Sequence, residues 1–493
     1  MCGVLGVVGS VQASQEVAAG LTLLQHRGQD AAGILSHDER GFHFIRGLGL
    51  VDGVLSPESL QTLTGSMALG HVRYTTAGKS ELTSVQPFLA NYPYGLGLVH
   101  NGNLVNARAL ARKLQEESRR HPLSSSDTEV ILNLFSESLV RQETGSALTV
   151  ESVIRAVRDV MEQAVGSYSI VTLIAGFGLV AFRDPSGIRP LIHARRKAED
   201  GSEAHLFSSE STVASFLDYR EVRDVPPGEV WIATEEGELH RHSVVKPRPR
   251  PCMFEWVYFA SAQSELERAP VYQTRIQLGR ELARTVCEEI EQGLIQPDIV
   301  VPVPETARIA AIALAEELQI PYRELLIKNR YISRTFILDS QSKREKAVQL
   351  KLAPVVSELK GKRVLLVDDS IVRGTVSRSL IELVRQAGAR EVYFVSTAPA
   401  IQNPCYYGID FPLRSELMAS GRTTDQIRAA LGADRVIYQK QESLVRAIRT
   451  ARAGVEGGSD SEFEPCMACL NGIYPTPIEG AAEMARARSE SRS

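Results

Sequence analysis

Residues 364–375, VLLVDDSIVRGT, constrain the fold more tightly than any other stretch of the chain. Four apolar residues, Val364 to Val367, run without alternation into the adjacent carboxylates Asp368 and Asp369, then into a turn rich in Ser, Gly and Thr. A helical apolar pattern follows over 376–386. A strand that is apolar on both faces needs cover on both faces, as in a parallel sheet between helices, and such sheets bind ligands at the carboxyl ends of their strands. The two carboxylates can accept hydrogen bonds from vicinal hydroxyls. The backbone N–H groups and hydroxyls of 370–375 can wrap a phosphate at a helix N-terminus. A ribose 5-phosphate suits that combination, although taken alone the pattern also describes an acidic turn before a capped helix. No Lys follows the glycine, so this is not a P-loop, and the spaced glycines of a dinucleotide fold are missing.

The strand and helix alternation recurs around it. Residues 298–303 read as a buried strand closed by Pro304, Glu305 and Thr306, residues 307–318 as a helix, and 322–327 and 392–397 as further strands. The 364–375 run resembles the phosphoribosylpyrophosphate (PRPP) motif of the phosphoribosyltransferases. That resemblance implies that Asp368 and Asp369 hold the ribose, while Ser370, Arg373, Gly374 and Thr375 hold the 5-phosphate. It also implies that Thr306 with Asp368 and Asp369 approaches one Mg²⁺ per subunit, a hard cation suited to oxygen ligands and phosphate. The run KNRYISRTF at 328–336 resembles the mobile loop of the family, with Lys328 and Arg330 neutralising pyrophosphate; a basic run is otherwise a solvated loop. Two positions depart from the family pattern. Val376 stands where a second Thr is usual and Gln349 where an Arg is common, which bears on PRPP affinity and nucleotide regulation.

The second signal is Cys2, preceded only by Met1 and followed by Gly3. Removal of Met1 leaves Cys2 a free α-amino group, which titrates near pH 7.7–8.0 (roughly) and can serve as general base for the thiol beside it. A lone near-terminal Cys is otherwise a small apolar residue, here opening a strand over 4–8. The runs LQHRGQDAAG at 24–33, GHVRYTTAG at 70–78 and HNGNL at 100–104 together resemble the glutamine amidotransferase domain whose N-terminal cysteine is the nucleophile. Hydrolysis of a side-chain amide needs an oxyanion hole, and an Asn side chain beside a Gly N–H is a suitable donor pair, hence Asn101 and Gly102. The resemblance places the glutamine α-carboxylate on Arg73, helped by Thr76, and the α-ammonium on Asp127. Each has a plainer alternative: Asn101-Gly102 a hairpin turn, Asp127 a helix cap, Arg73 a solvated strand end. His26, His71 and His100 are read as structural supports. Residues 151–164 read as a helix, 167–182 as a hairpin, and 195–204 as an exposed polar loop.

Of six cysteines, Cys466 and Cys469 form a C-x-x-C pair, and Cys252 and Cys405 stand apart from it. Four thiolates suit either Zn²⁺ or an iron–sulfur cluster. PCMFE at 251–255, NPCYYGID at 403–410 and CMAC at 466–469 resemble the ligand segments of cluster-bearing glutamine PRPP amidotransferases, which implies a [4Fe-4S] cluster on Cys252, Cys405, Cys466 and Cys469. Cys287 is assigned to core packing.

At 493 residues the chain exceeds one hydrophobic core, and 43% hydrophobic with 23% charged residues is the ordinary balance of a globular protein. A formal net charge of -4 offers no global attraction to nucleic acid or anionic membrane. No basic stretch leads into a long apolar segment at the N-terminus, which predicts a cytoplasmic protein. The stiff segment KPRPRP at 246–251 marks a boundary. The alternating pattern indicates α/β content, and the resemblance implies an N-terminal-nucleophile hydrolase domain over 2–245, with stacked antiparallel sheets between helices, and a type I phosphoribosyltransferase domain over 246–478, with a parallel sheet covered by helices on both faces. The tail at 479–493 is expected to be disordered. The resemblance covers nearly the whole chain and implies glutamine and PRPP as substrates, 5-phosphoribosylamine as product, feedback by purine nucleotides, and a homotetramer. Two rivals are another amidotransferase, such as a hexosamine-forming one, which would lack 364–375, and a PRPP-sensing regulator, which would leave Cys2 unexplained.

Overall fold

The segment Gly3–Val8 is buried along its whole length, because its alternate side chains serve two different cores. Leu5 and Val7 pack with Val17 and Leu21 of the helix Ala13–Leu23, whereas Val4 and Val8 pack with Val171, Leu173 and Leu179 of a second sheet. A period of two therefore stacks helix on sheet on sheet. In the computed structural model, which describes residues 2–74, 81–142, 148–197, 201–329, 352–411, 413–455 and 463–481, the first sheet has seven antiparallel strands. Their order is Arg220–Asp224, Ile192–Lys197, Glu203–Ser208, Gly3–Val8, Met67–Arg73, Ala31–Asp38 and Gly41–Leu48. The second sheet has six, with Leu96–Leu104 and Gly166–Ile174 near one edge. Its outer face packs Leu98, Ile170 and Phe182 against Phe135, Val153 and Val157 of the helices Asp127–Gln142 and Val150–Gln163. The layering is helix, sheet, sheet, helix, as expected.

The C-terminal half holds a four-stranded parallel sheet in the order Ile299–Pro302, Arg363–Asp368, Glu391–Ser396, Arg435–Tyr438. Val300, Leu365 and Tyr393 face the helices Val271–Glu291 and Arg308–Leu318, while Val301, Leu366 and Phe394 face the helix Thr375–Gln386. The unalternating apolar run of 364–367 is explained by this two-sided burial. The strand expected over 322–327 is smaller: Tyr322 meets Val300 in a single parallel bridge, and Leu326–Lys328 instead pairs antiparallel with Leu352–Pro354. Pro321 lies just before that bridge, and its carbonyl accepts from the Val300 N–H at 2.9 Å.

Two further expectations need correction. Residues 195–204 are no plain loop, because Arg196 pairs with Ala204 and Arg195 with His205 in a hairpin, closed by ion pairs of Glu203 with Arg195 and Lys197. Opposite charges on facing strand positions made a polar run compatible with a strand. Cys287 is exposed rather than in the core, with its Sγ 3.5 Å from a Glu291 oxygen one turn on. It falls on the outer face of its helix, which the single apolar-looking residue concealed. At the tail, Ala481 is buried in the cysteine-bearing core, and residues 482–493 lie outside the described residues. Among the described residues no helix is long and apolar enough to cross a membrane.

Candidate active site

Gly3 pairs with Val72, which sets Cys2 beside Arg73 at the ends of neighbouring strands, and the second sheet brings Asn101 across to it. The Cys2 N–H donates to Asn101 Oδ1 at 3.4 Å. Asn101 Nδ2 is buried with no hydrogen-bond partner among the described residues. One end of that amide therefore holds the Cys2 backbone while the other is left a donor with no partner among the described residues, the arrangement an oxyanion hole needs. Gly102 is fixed by space: a Cβ there would lie 2.0 Å from the Ser167 carbonyl oxygen, at a φ of +155°. Asp127 opens its helix, and its Oδ2 accepts from the Leu104 N–H at 2.9 Å, tying the helix to the strand that carries Asn101. Arg73 Nη1 is also buried and unpartnered among the described residues. Thr76 lies outside them.

Beneath Cys2 is a set of ion pairs that the motifs did not reveal. Arg27 Nε donates to the Cys2 carbonyl at 3.0 Å, its Nη1 lies 2.5 Å from Glu210, and its Nη2 bonds both Glu255 oxygens at 3.0 Å. Burial opposes the Arg27 charge, but Glu255 and Glu210 raise its pKa above the ordinary value. Burial pushes Glu210 upward, yet Arg27 and His26 hold it well below the usual carboxylate range. Glu255 also accepts from Arg189 at 3.3 Å. His26, read as a support, donates from Nε2 to Glu210 at 2.8 Å, and His100 Nδ1 lies 3.2 Å from Thr128 Oγ1. His71 is fully buried with both ring nitrogens unpartnered among the described residues; burial and the Arg73 charge push it down to about 3, so it stays neutral.

At the other end, the parallel register brings Val303 beside Val367 and so sets Asp368 and Asp369 at the carboxyl edge of the sheet, with Thr306 in the turn after the neighbouring strand. The Val303 N–H donates to the Val367 carbonyl at 2.8 Å, and the N–H groups of Thr397 and Ala398 donate to the carbonyls of Asp368 and Asp369 at 2.9 Å. Ser370 Oγ donates to Asp369 at 2.8 Å, and the Asp369 N–H to Asp368 at 2.9 Å. Burial and the neighbouring Asp369 push Asp368 well above the usual range, and burial pushes Asp369 up to about 6 despite the Arg275 charge. Gly374 caps the helix with φ +74°, and a Cβ there would meet Met418 Cε at 2.2 Å. Thr375 opens the helix and Val376 is 57% exposed beside it. The Arg373 guanidinium is engaged by Glu416, 2.7 Å from its Nη2, and by the Asp410 carbonyl at 3.0 Å. Lys328 is exposed at the end of its short strand, and Arg330 and Gln349 lie outside the described residues.

Cys252, Cys405, Cys466 and Cys469 gather in one apolar core between these two ends. Cys252 and Cys466 face each other in a parallel bridge, and the N–H groups of Gln402 and Asn403 donate to the Cys469 carbonyl at 3.0 and 2.9 Å. Burial pushes the Cys252 thiol up to about 11 and those of Cys466 and Cys469 well above the ordinary thiol value. Among the described residues no three His, Cys, Asp or Glu side chains converge as ligands of a single ion. The Cys405 segment reaches the first site: Asn103 Nδ2 donates to the Tyr406 carbonyl at 2.8 Å, and Ser167 Oγ and Arg189 Nε to the Tyr407 carbonyl at 3.1 and 2.9 Å.

Comparison with known proteins follows the same division. Residues 71–215 match the glutamine amidotransferase domain family and residues 272–407 the phosphoribosyl transferase domain family. The amidophosphoribosyltransferase of Escherichia coli K12 is 42% identical over 478 residues, covering 97% of this chain and 93% of that protein. That of Saccharomyces cerevisiae is 42% identical over 487 residues, covering 97% and 93%. Among solved structures, the glutamine PRPP amidotransferase of B. subtilis complexed with ADP and GMP superposes with a TM-score of 0.83 at 35% identity, covering 97% of this chain and 98% of that one. With this identity sustained along both halves, the chain belongs to the amidophosphoribosyltransferase family.

Proposed function

We infer that the chain converts PRPP and glutamine to 5-phosphoribosylamine, glutamate and pyrophosphate, the first committed step of de novo purine biosynthesis. The observation that carries this reading is the pairing, in one chain, of a cysteine, beside an amide donor with no partner among the described residues, with two adjacent carboxylates, Asp368 buried and Asp369 half-buried, at the end of a parallel strand. We divide it into a glutaminase domain over 2–245 and a phosphoribosyltransferase domain over 246–478.

Once Met1 is removed, the Cys2 α-amine takes the thiol proton as sulfur attacks the side-chain carbonyl of glutamine. Asn101 Nδ2 and the Gly102 N–H stabilise the resulting oxyanion, and Arg73, Thr76 and Asp127 hold the amino-acid end. The amine returns its proton to the departing ammonia, and water then hydrolyses the thioester to glutamate. Ammonia displaces pyrophosphate from C1 of PRPP, whose ribose hydroxyls lie on Asp368 and Asp369 and whose 5-phosphate lies on 370–375. Protonated ammonia is no nucleophile, so a sheltered path between the sites is part of the reading.

Two adjacent carboxylates with raised pKa values suit a bound cation, and Thr306, Asp368 and Asp369 would hold Mg²⁺. When bound, it neutralises charge on the leaving pyrophosphate. The four thiols, three buried and Cys405 half-buried in one apolar core, fit a soft metal centre, and the resemblance of 251–255, 403–410 and 466–469 to the ligand segments of cluster-bearing relatives favours a [4Fe-4S] cluster over Zn²⁺. It would tie the 466–469 segment to the joint at 252. Purified protein is expected to be brown, with iron and acid-labile sulfide; colourless protein with stoichiometric zinc contradicts the cluster. Purine nucleotide feedback, a homotetramer and a cytoplasmic location complete the proposal. The test is glutamate release from glutamine with and without PRPP, measured together with pyrophosphate. Glutamate release unaffected by PRPP and unaccompanied by pyrophosphate would refute it.

A further inference from the structure

Residues 406–408 belong to the C-terminal half, yet all three touch the strand that carries the oxyanion donors. Asn103 Nδ2 donates to the Tyr406 carbonyl at 2.8 Å. The Asn103 N–H donates to the hydroxyl of Ser167, its partner across the sheet, at 3.2 Å, and the same hydroxyl donates to the Tyr407 carbonyl at 3.1 Å. Gly408 lies against Gly102 itself. A Cβ at Gly408 would stand 3.1 Å from the Gly102 carbonyl oxygen and 3.3 Å from its carbon, and φ there is +95°, so space and backbone both call for glycine. The Tyr407 carbonyl also accepts from Nε of the buried Arg189 at 2.9 Å; Arg189 bonds Glu255 at 3.3 Å, Glu255 bonds Arg27 at 3.0 Å, and Arg27 bonds the Cys2 carbonyl at 3.0 Å. Two residues further on, the chain meets the other site. Arg373 Nη2, from the loop over 370–375, donates to the Asp410 carbonyl at 3.0 Å, and the Val372 carbonyl accepts from the Met418 N–H at 2.8 Å. Direct contacts therefore run from the phosphate loop to the oxyanion strand through five consecutive residues, 406–410.

We propose that residues 406–410 form a strap that positions Gly102 in the oxyanion hole and ties that position to the phosphate loop, with Gly408 and Ser167 as its positioning residues. The inference rests on the functional reading, in which 370–375 holds the 5-phosphate of PRPP and Gly102 serves the oxyanion. A phosphate drawing on the N–H groups of 370–375 shifts the loop that Arg373 anchors to Asp410. The shift reaches Gly102 through Gly408, and Asn103 through the carbonyls of Tyr406 and Tyr407. An oxyanion exists only along the reaction, so such a strap changes kcat for glutamate release and leaves KM for glutamine nearly alone. A contact whose arrangement differs with the state of one site couples it to the other, and contact that merely packs does not.

The experiment measures kcat and KM for glutamate release by the full-length holoenzyme with Mg²⁺, with and without PRPP at saturation, saturation being set by calorimetry for each protein. In the parent, PRPP is expected to raise kcat. Gly408→Ala, which pushes on Gly102, is expected to lower kcat in the presence of PRPP by about tenfold or more, and Ser167→Ala, which removes the hydroxyl between Asn103 and Tyr407, by about threefold. In both, KM for glutamine is expected to stay within about twofold of the parent's, and the ratio of kcat with PRPP to kcat without it to fall towards one. A rise in KM with kcat unchanged, parent-like constants in both variants, or a fall in kcat that is equal with and without PRPP overturns the proposal. If Gly408→Ala does not fold, Ser167→Ala decides alone: a ratio reduced by about twofold or more supports the strap, and an unchanged ratio overturns it. Parent protein that binds no PRPP in the calorimeter refutes the functional reading, and this inference with it. PRPP binding that leaves glutamate release by the parent unchanged overturns the strap alone.

Discussion

The glutamine end and the acceptor end solve opposite electrostatic problems. Around Cys2 nearly every buried charge is matched inside the protein: Arg27 by Glu210 and Glu255, and Glu255 again by Arg189. Among the described residues, what stays unsatisfied there is a donor, Asn101 Nδ2, together with one Arg73 nitrogen and the His71 ring nitrogens. Around the adjacent carboxylates Asp368, buried, and Asp369, half-buried, burial pushes both pKa values above the ordinary carboxylate range. A site that stabilises a transient oxyanion is best prepared by fixed dipoles, whereas a site for a magnesium pyrophosphate can leave part of its neutralisation to the ligand. The first should be rigid and insensitive to added cation, and the second should respond to it.

The comparison breaks most completely at Cys2. Cys2→Ala is expected to reduce glutamine-dependent product formation by about 10⁴-fold or more while sparing turnover with ammonia, as steady-state assays with each nitrogen source would show. If both fall together, the sites are not separate. Asn101→Ala should lower kcat for glutamate release by about 10²–10³-fold with little change in KM for glutamine, the mark of a donor used in the transition state. A rise in KM alone would make Asn101 a substrate-binding residue.

Asp369→Asn tests the acceptor end and carries a pH signature. Loss of a charged hydrogen bond to the ribose should cost about 10–100-fold in kcat/KM for PRPP with either nitrogen source. The folded-state pKa of Asp369 is pushed from 3.8 to about 6, so its favourable contribution is fully present below about pH 4 and is lost as pH rises through 6. Asp369→Asn should therefore melt higher than the parent above pH 6 in the absence of Mg²⁺ and PRPP, with the gap closing towards pH 4. Calorimetric melting at several pH values checks this; a gap independent of pH would mean that the carboxylate is not strained by burial. The smallest effect is expected at Val376, where Val376→Thr restores a hydroxyl beside the phosphate loop and should lower KM for PRPP by about threefold.

The two ends were also unequally legible. The chemistry at 364–375 could be read in order along the chain, because strand, loop and helix are consecutive and the apolar run reports burial on both faces. Cys2, Asn101 and Asp127 were legible as types in motifs. The charge network below them was not, since Arg27 meets Glu255 across 228 positions and Glu210 across 183. No local pattern in 370–375 could show that Arg373 meets Glu416, 43 positions further on. Likewise, the charges of 195–204 suggested a loop because their cross-strand partners were not apparent.

The central claim is that these two unlike ends perform one reaction on one chain. The most direct measurement supplies glutamine labelled with ¹⁵N in its side-chain amide, together with PRPP, Mg²⁺ and an excess of unlabelled ammonium, and reads the isotope in trapped 5-phosphoribosylamine along with the glutamate and pyrophosphate released. The account predicts one pyrophosphate per glutamate and nitrogen that is predominantly ¹⁵N. Product carrying the isotope ratio of the bulk solution, or glutamate formed without pyrophosphate, would contradict it.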